Sequence, residues 1–254
     1  MPKTIAVAGK GGTGKTTFCG LLVRSLADGK KGLLLAVDAD PNSNLNEVLG
    51  IKAPVSLGEI REGMLDKGAG DSLPVGMTKQ EYMEFMFGDA LFEEDDYDLL
   101  VMGRTQGAGC YCYVNGVLKT QIDKYSGNYS YIIVDNEAGL EHISRGILPR
   151  VDILLLMSDC SRRGIQAAGR IAQLAGELKV NPKVMKLIVN RAPGGELSEG
   201  ILEEIGIQKL ELLGVLPNDE AVFRYDSEGL PSSKVPEDSP IKNAMREILE
   251  ALEL

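Results

Sequence analysis

Short runs of consecutive apolar residues recur along the chain at intervals too long for hairpins: Ile5–Ala8, Leu33–Val37, Leu99–Met102, Tyr131–Val134, Ile153–Met157, Lys186–Val189 and Leu212–Leu216. Several are apolar at successive positions instead of alternating, which predicts strands covered on both faces. Segments of helical period lie between them. Gly164–Lys179 puts Ile165, Ala168, Ile171, Ala175 and Leu178 on one stripe, and the C-terminal stretch does the same with Ile241, Met245, Ile248, Leu249 and Leu252. This alternation predicts an α/β fold, a doubly wound, mostly parallel sheet of about seven or eight strands with helices on both faces. There is no internal repeat, low-complexity tract or linker, so residues 1–254 read as a single domain. The glycine-rich stretch Pro54–Pro74 reads as an irregular insertion.

Composition narrows the partners. The 27 Lys+Arg are outnumbered by 37 Asp+Glu, giving a net charge of −10. Phosphates would be repelled on average, so neither nucleic acid nor an anionic membrane surface is expected as a partner. No window holds 18 consecutive apolar residues, and MPKTIAVAGKGG has no long apolar run, so the expectation is a cytoplasmic protein. The four cysteines, at 19, 110, 112 and 160, are too few for a disulfide scaffold and are expected to be reduced.

The first chemical signal follows the first strand: Gly9-Lys10-Gly11-Gly12-Thr13-Gly14-Lys15-Thr16-Thr17. It matches G-x-x-x-x-G-K-[ST] between a strand and a helix. Glycines without a Cβ let the backbone turn successive N–H groups toward an anion, and the helix adds its positive end. Lys15 is expected to reach the β- and γ-phosphates, and the Thr16 hydroxyl to ligate Mg²⁺. Gly11, Gly12, Thr13, Gly14 and Thr17 complete the cradle. Asp38-Ala39-Asp40-Pro41-Asn42 follows the second strand, and Asp135 closes the apolar strand Tyr131–Val134. Strand ends in such folds open onto the ligand crevice, which brings these carboxylates toward the phosphates.

With its second lysine at Lys10, the loop resembles the deviant Walker A of the ParA/MinD group, which includes nitrogenase iron protein and the arsenite-pump ATPase. The resemblance implies an ATPase that works as a homodimer, with Lys10 reaching the partner's nucleotide in trans. It further implies that Asp40 positions the attacking water, that Asp38 and Asp135 lie near the magnesium, and that Gly139 offers a backbone N–H near the γ-phosphate. Asn190 would recognise adenine, with Arg191 beside it and Pro217 lining the same pocket. No N-K-x-D guanine signature follows the sixth strand, which favours ATP/ADP over guanine nucleotides.

The remaining signal is Cys110-Tyr111-Cys112 after the third strand. In an extended segment residues i and i+2 project to one side, so both thiolates could meet one ion. Supplied twice by a two-fold dimer, they make an S₄ site suited to Ni²⁺ or Zn²⁺. Together with Asp135–His142 and Asp159-x-Ser161-x-x-Gly164, the pair resembles the nickel-insertion ATPases of carbon monoxide dehydrogenase and acetyl-CoA synthase maturation. That resemblance implies a nickel metallochaperone whose client is one of those enzymes. A positioning or partition ATPase and an iron–sulfur electron-transfer ATPase are the competing classes. Cys19 reads as a core residue, Cys160 as a packed or loop cysteine at the crevice edge, His142 as an interface or hydrogen-bonding residue, and Glu93–Asp96 as a solvated face.

Overall fold

The computed structural model describes residues 1–52, 55–66, 76–88, 90–104, 110–140 and 150–254. Among them lie the strands β1 (Lys3–Gly9), β2 (Leu34–Asp38), β3 (Leu91–Glu93), β4 (Tyr97–Val101), β5 (Tyr131–Asp135), β6 (Ile153–Asp159), β7 (Val184–Ala192) and β8 (Leu212–Pro217). The helices are α1 (Lys15–Asp28), α2 (Leu45–Leu49), α3 (Leu57–Asp66), α4 (Lys79–Gly88), α5 (Cys110–Tyr125), α6 (Arg162–Glu177), α7 (Glu199–Ile207), α8 (Glu220–Ser227) and α9 (Pro240–Ala251).

The strands form one eight-stranded sheet in the order β3-β4-β2-β5-β1-β6-β7-β8. Only β3 with β4 is antiparallel. The sheet divides two cores, as the uninterrupted apolar strands require. On one side, Ile5 and Val7 of β1 pack with Phe18, Leu22 and Leu26 of α1, Leu45 and Leu49 of α2, and Ile241, Met245 and Ile248 of α9. On the other, Ala6 and Ala8 pack with Leu118 and Ile122 of α5, Ile165, Ala168 and Ile171 of α6, and Ile201 and Ile205 of α7. Each large aliphatic side chain so buried contributes about 1.5–3 kcal/mol.

All seven predicted strands are present, their ends displaced by at most three residues. Three expectations are corrected. Strand β3 was missing from the pattern; it is three residues long and runs into the acidic turn 94–96 that returns the chain to β4. Leu178 lies outside its helix and is 39% exposed, because Lys179 turns left-handed at φ 55° and ends α6 at Glu177. Part of the supposed irregular stretch is the helix α3, started by Ser56, whose hydroxyl accepts the Glu59 N–H at 3.2 Å while the Glu59 carboxylate accepts the Ser56 N–H at 2.8 Å. The rest of Pro54–Pro74 lies largely outside the described residues.

The sheet is tightest where it meets the first loop. A Cβ on Gly9 would stand 2.4 Å from the Met157 carbonyl oxygen of the neighbouring strand, and backbone cannot yield there. Gly9→Ala is therefore expected to push β1 and β6 apart and cost about 1–3 kcal/mol. Urea denaturation checks this; an unchanged midpoint would contradict it.

Candidate nucleotide site and its switch loops

The loop after β1 curls as its sequence demands. Gly12 (φ 79°) and Gly14 (φ 88°) are left-handed, and Gly14 is the residue from which α1 starts. No side chain caps that helix, so its first N–H groups are left for an anion. The Thr13 hydroxyl donates to the Lys10 carbonyl at 2.8 Å, and the Lys15 ammonium lies over the same oxygen at 3.5 Å. Lys15 is buried, whereas Lys10, Gly11 and Gly12 are exposed at the mouth of the loop. Thr16 and Thr17 follow, half-buried in the first turn of α1.

Two carboxylates close the floor. Asp38 and Asp135 end adjacent parallel strands and are direct partners in the register. Asp38 is fully buried. Its Oδ1 accepts the Asp40 N–H at 3.1 Å and its Oδ2 accepts the Leu45 N–H at 3.0 Å. Burial and then the charge of Asp135 push its pKa up to about 7, against the pull of those N–H groups. Asp135 is pushed up to about 6, chiefly by burial, with the Thr16 hydroxyl and the Lys15 ammonium pulling the other way. Neither of its oxygens has a hydrogen-bond partner of ordinary geometry. A buried carboxylate beside the Thr16 hydroxyl, with no oxygen committed to a hydrogen bond of ordinary geometry, fits a cation, so the residues present suit Mg²⁺. Cys19, fully buried below Asp135, is the core residue its helix position implied; burial holds its thiol pKa well above the usual value.

Asp40, Gly139 and the base end are set by contacts that the sequence does not spell out. The Asp40 carboxylate accepts the Asn42 N–H at 2.8 Å and its side-chain amide at 3.0 Å. Gly139 (φ 98°) donates its N–H to the Gly9 carbonyl at 3.2 Å, so in this state that group is engaged with the P-loop. The Asn190 amide donates to the Thr13 carbonyl at 2.9 Å, and its oxygen accepts the Arg191 N–H at 2.8 Å. Arg191 itself donates to the Gly12 carbonyl at 3.2 Å. These two residues thus clamp the phosphate loop from the end of β7, and Asn190 retains one amide hydrogen and one lone pair for a base.

A cleft of about 100 Å³ opens beside them, walled by Thr17, Pro217, Val222 and Phe223. Phe223, 75% exposed, was not singled out by sequence, although an exposed aromatic in an amphipathic helix is a signal for stacking. Asp219 was also missed. It accepts the Ala221 N–H at 2.8 Å and the Ile241 N–H at 3.0 Å, fixing the starts of α8 and α9 together.

The cysteine segment departs from expectation. Cys110 and Cys112 are in the first turn of α5, where positions two apart do not share a side as they would in a strand. Their thiol positions, and residues 105–109, lie outside the described part of the structure, as do Glu141 and His142. Among the described residues no group of three or more His, Cys, Asp and Glu side chains could hold a metal. Cys160 is half-buried and donates its S–H to the Arg191 carbonyl at 3.3 Å. The Asp159-x-Ser161-x-x-Gly164 motif is a helix start: Ser161 caps α6 by accepting the Gly164 N–H at 3.0 Å, and a Cβ on Gly164 would run into Asp159. No helix of the described residues is long and apolar enough to cross a membrane.

Residues 4–232 match the sequence profile of the CobQ/CobB/MinD/ParA nucleotide binding domain. An uncharacterized ATP-binding protein of Methanocaldococcus jannaschii is 41% identical over 250 residues, 98% of this chain and 97% of that protein. The carbon monoxide dehydrogenase accessory protein CooC of Rhodospirillum rubrum is 30% identical over 238 residues, 89% of this chain and 88% of its own. The septum site-determining protein MinD complexed with Mg-ADP from Pyrococcus horikoshii has the same fold, with a TM-score of 0.73 at 22% identity over 100% of this chain and 96% of its own.

The two raised carboxyls give a pH dependence with a defined sign. The folded chain holds protons that the unfolded chain has already released, so stability falls as pH rises from about 4 through about 7. In nucleotide-free, metal-free protein the urea midpoint is expected to drop over that window, and Asp135→Asn to flatten the drop. A midpoint that climbs through it would contradict the assignment.

Proposed function

This chain belongs to the CobQ/CobB/MinD/ParA nucleotide-binding family, and from that premise we propose that it is a nickel metallochaperone: a homodimeric, Mg·ATP-dependent ATPase of one domain that delivers Ni²⁺ to a carbon monoxide dehydrogenase or acetyl-CoA synthase client. The observation that carries this reading is the junction of β2 with β4. The Met102 N–H donates to the Asp38 carbonyl at 2.9 Å, so the chain that goes on to Cys110 and Cys112 leaves the sheet beside the nucleotide switch. Similarity along most of the chain to CooC, a carbon monoxide dehydrogenase accessory protein, supports the choice of client.

In this mechanism the P-loop amides and Lys15 hold the ATP phosphates, Lys15 leaving the Lys10 carbonyl to reach them. Thr16 would hold Mg²⁺, with Asp38 and Asp135 alongside. When bound, the ion neutralises charge on the phosphate oxygens. Asp40 orients the water that attacks the γ-phosphate, giving ADP and phosphate. Gly139 turns its N–H from Gly9 to that phosphate, and the exposed Lys10 reaches the nucleotide of the partner copy. Asn190, Arg191, Pro217 and Phe223 hold the adenine end. Nickel is the cargo, taken by the thiolates of Cys110 and Cys112 from each of two copies; the same four sulfurs accept Zn²⁺.

The positioning class needs a free amphipathic face to dock on a membrane. The apolar stripe of α9 is instead packed against the sheet, with Ile241, Met245 and Ile248 all at most 4% exposed.

Two variants test the reading. Wild-type protein is expected to take up one Ni²⁺ per two chains, and Cys112→Ser to lose it while ATP affinity stays within about twofold, as read by equilibrium dialysis. Unchanged nickel uptake in that variant would overturn the metal assignment. Asp40→Ala is expected to lower kcat by about 10²-fold or more while retaining ATP binding and trapping an ATP-bound dimer. Normal turnover would remove Asp40 from its role.

A further inference from the structure

Arg104 stands at the exit of β4, with five residues between it and Cys110. Its backbone is held firmly. The Gly58 N–H donates to the Met102 carbonyl at 2.9 Å, and a Cβ on Gly58 would stand 2.1 Å from the Arg104 carbonyl oxygen. Gly103 is left-handed at φ 68°, and a Cβ there would strike the Ser56 hydroxyl at 2.3 Å. Residues 102–104 are thus seated against the start of α3 and bonded to Asp38.

The Arg104 side chain reaches the other way. Its Nη2 donates to Oδ1 of Asn42 at 2.5 Å, across 62 positions of sequence. Because the Asn42 oxygen faces the guanidinium, its NH₂ group faces the Asp40 carboxylate, which also accepts the Asn42 backbone N–H. Arg104, Asn42 and Asp40 form one chain of charge-assisted hydrogen bonds, the guanidinium at one end and the water-orienting carboxylate at the other. Both Arg104 and Asn42 are exposed, so the link adds little to stability and can open and close reversibly. On the far side, α5 carries Asn115 and Gln121, each at most 4% exposed and each with an amide lacking a partner among the described residues. A buried amide without a partner weakens the packing of the helix that carries it.

We propose that Arg104 is a positioning residue that couples the nucleotide switch at Asp40–Asn42 to the segment carrying Cys110 and Cys112. When Asp40 turns to the nucleotide, Asn42 moves with it, and the Arg104 side chain at the exit of β4 is released from the switch loop. The inference rests on the reading of Cys110 and Cys112 as the metal-bearing pair, and it names the contact through which ATP would act on them.

The test is thiol reactivity, measured in a Cys160→Ser background so that labelling reports on Cys110 and Cys112, Cys19 being buried. Maleimide labelling rates are compared with Mg·ADP and with a Mg-bound non-hydrolysable ATP analogue. The expected ratio is at least about fivefold. Arg104→Ala should bring it to within about twofold of unity without lowering the melting temperature, and Arg104→Lys, which keeps a charged donor, should restore part of it. Asn42→Ala should collapse the ratio equally, and the double variant should do no more, since both act through one contact. A ratio of one in the Cys160→Ser parent, an unaltered ratio in Arg104→Ala, or additive losses in the double variant would overturn the proposal. Nickel uptake in the same samples separates the two ideas: a parent that binds no nickel sinks the metallochaperone reading, while the labelling ratios still judge Arg104.

Discussion

Asp38 and Asp135 end neighbouring strands in register, inside the protein and next to one another. Two carboxylates so placed repel each other and lose hydration, and the fold tolerates them because the surrounding polar groups are arranged around them. Asp38 organises the loop after β2 by accepting N–H groups from Asp40 and Leu45, and its carbonyl takes the Met102 N–H from β4. The Asp135 carbonyl takes the Ala39 N–H in return. The start of α2, the course of the switch loop and the exit of β4 therefore all hang on this pair. A bound cation would offset the burial and the repulsion that raise both carboxyls.

Much of this was legible in the sequence for a physical reason. Strands covered on both faces must be apolar at every position, and a phosphate loop must have glycine where φ is positive; Gly12 and Gly14 meet that demand. The edge hairpin was not legible, since three residues beside an acidic turn carry no period. The cysteine segment misled because two thiols two apart share a side only in an extended chain, whereas the stripe that makes α5 a helix, Leu118 and Ile122, lies a full turn and more downstream. The contacts that tune the site were hidden for another reason. Asn190 with Thr13 and Arg104 with Asn42 join residues 177 and 62 positions apart, and no local pattern encodes such pairs.

The two ends of the sheet's upper rim have different tasks. At the β7 and β8 end, Asn190, Arg191 and Asp219 fix the P-loop and the starts of two helices, which suits a wall for the base. At the β2 and β4 end, one exposed hydrogen bond, from Arg104 to Asn42, joins the loop after β2 to the exit of β4.

The short strand β3 has a consequence for how two copies can meet. A parallel sheet ends in unpaired N–H and C=O groups that invite another chain to add itself. Here that border is three residues long, turned antiparallel and followed by Glu94, Asp95 and Asp96, with Glu93 closing the strand itself. Like charges brought face to face along such a border repel, so one sheet does not continue into another there. Lateral growth of the sheet along this edge is thereby disfavoured.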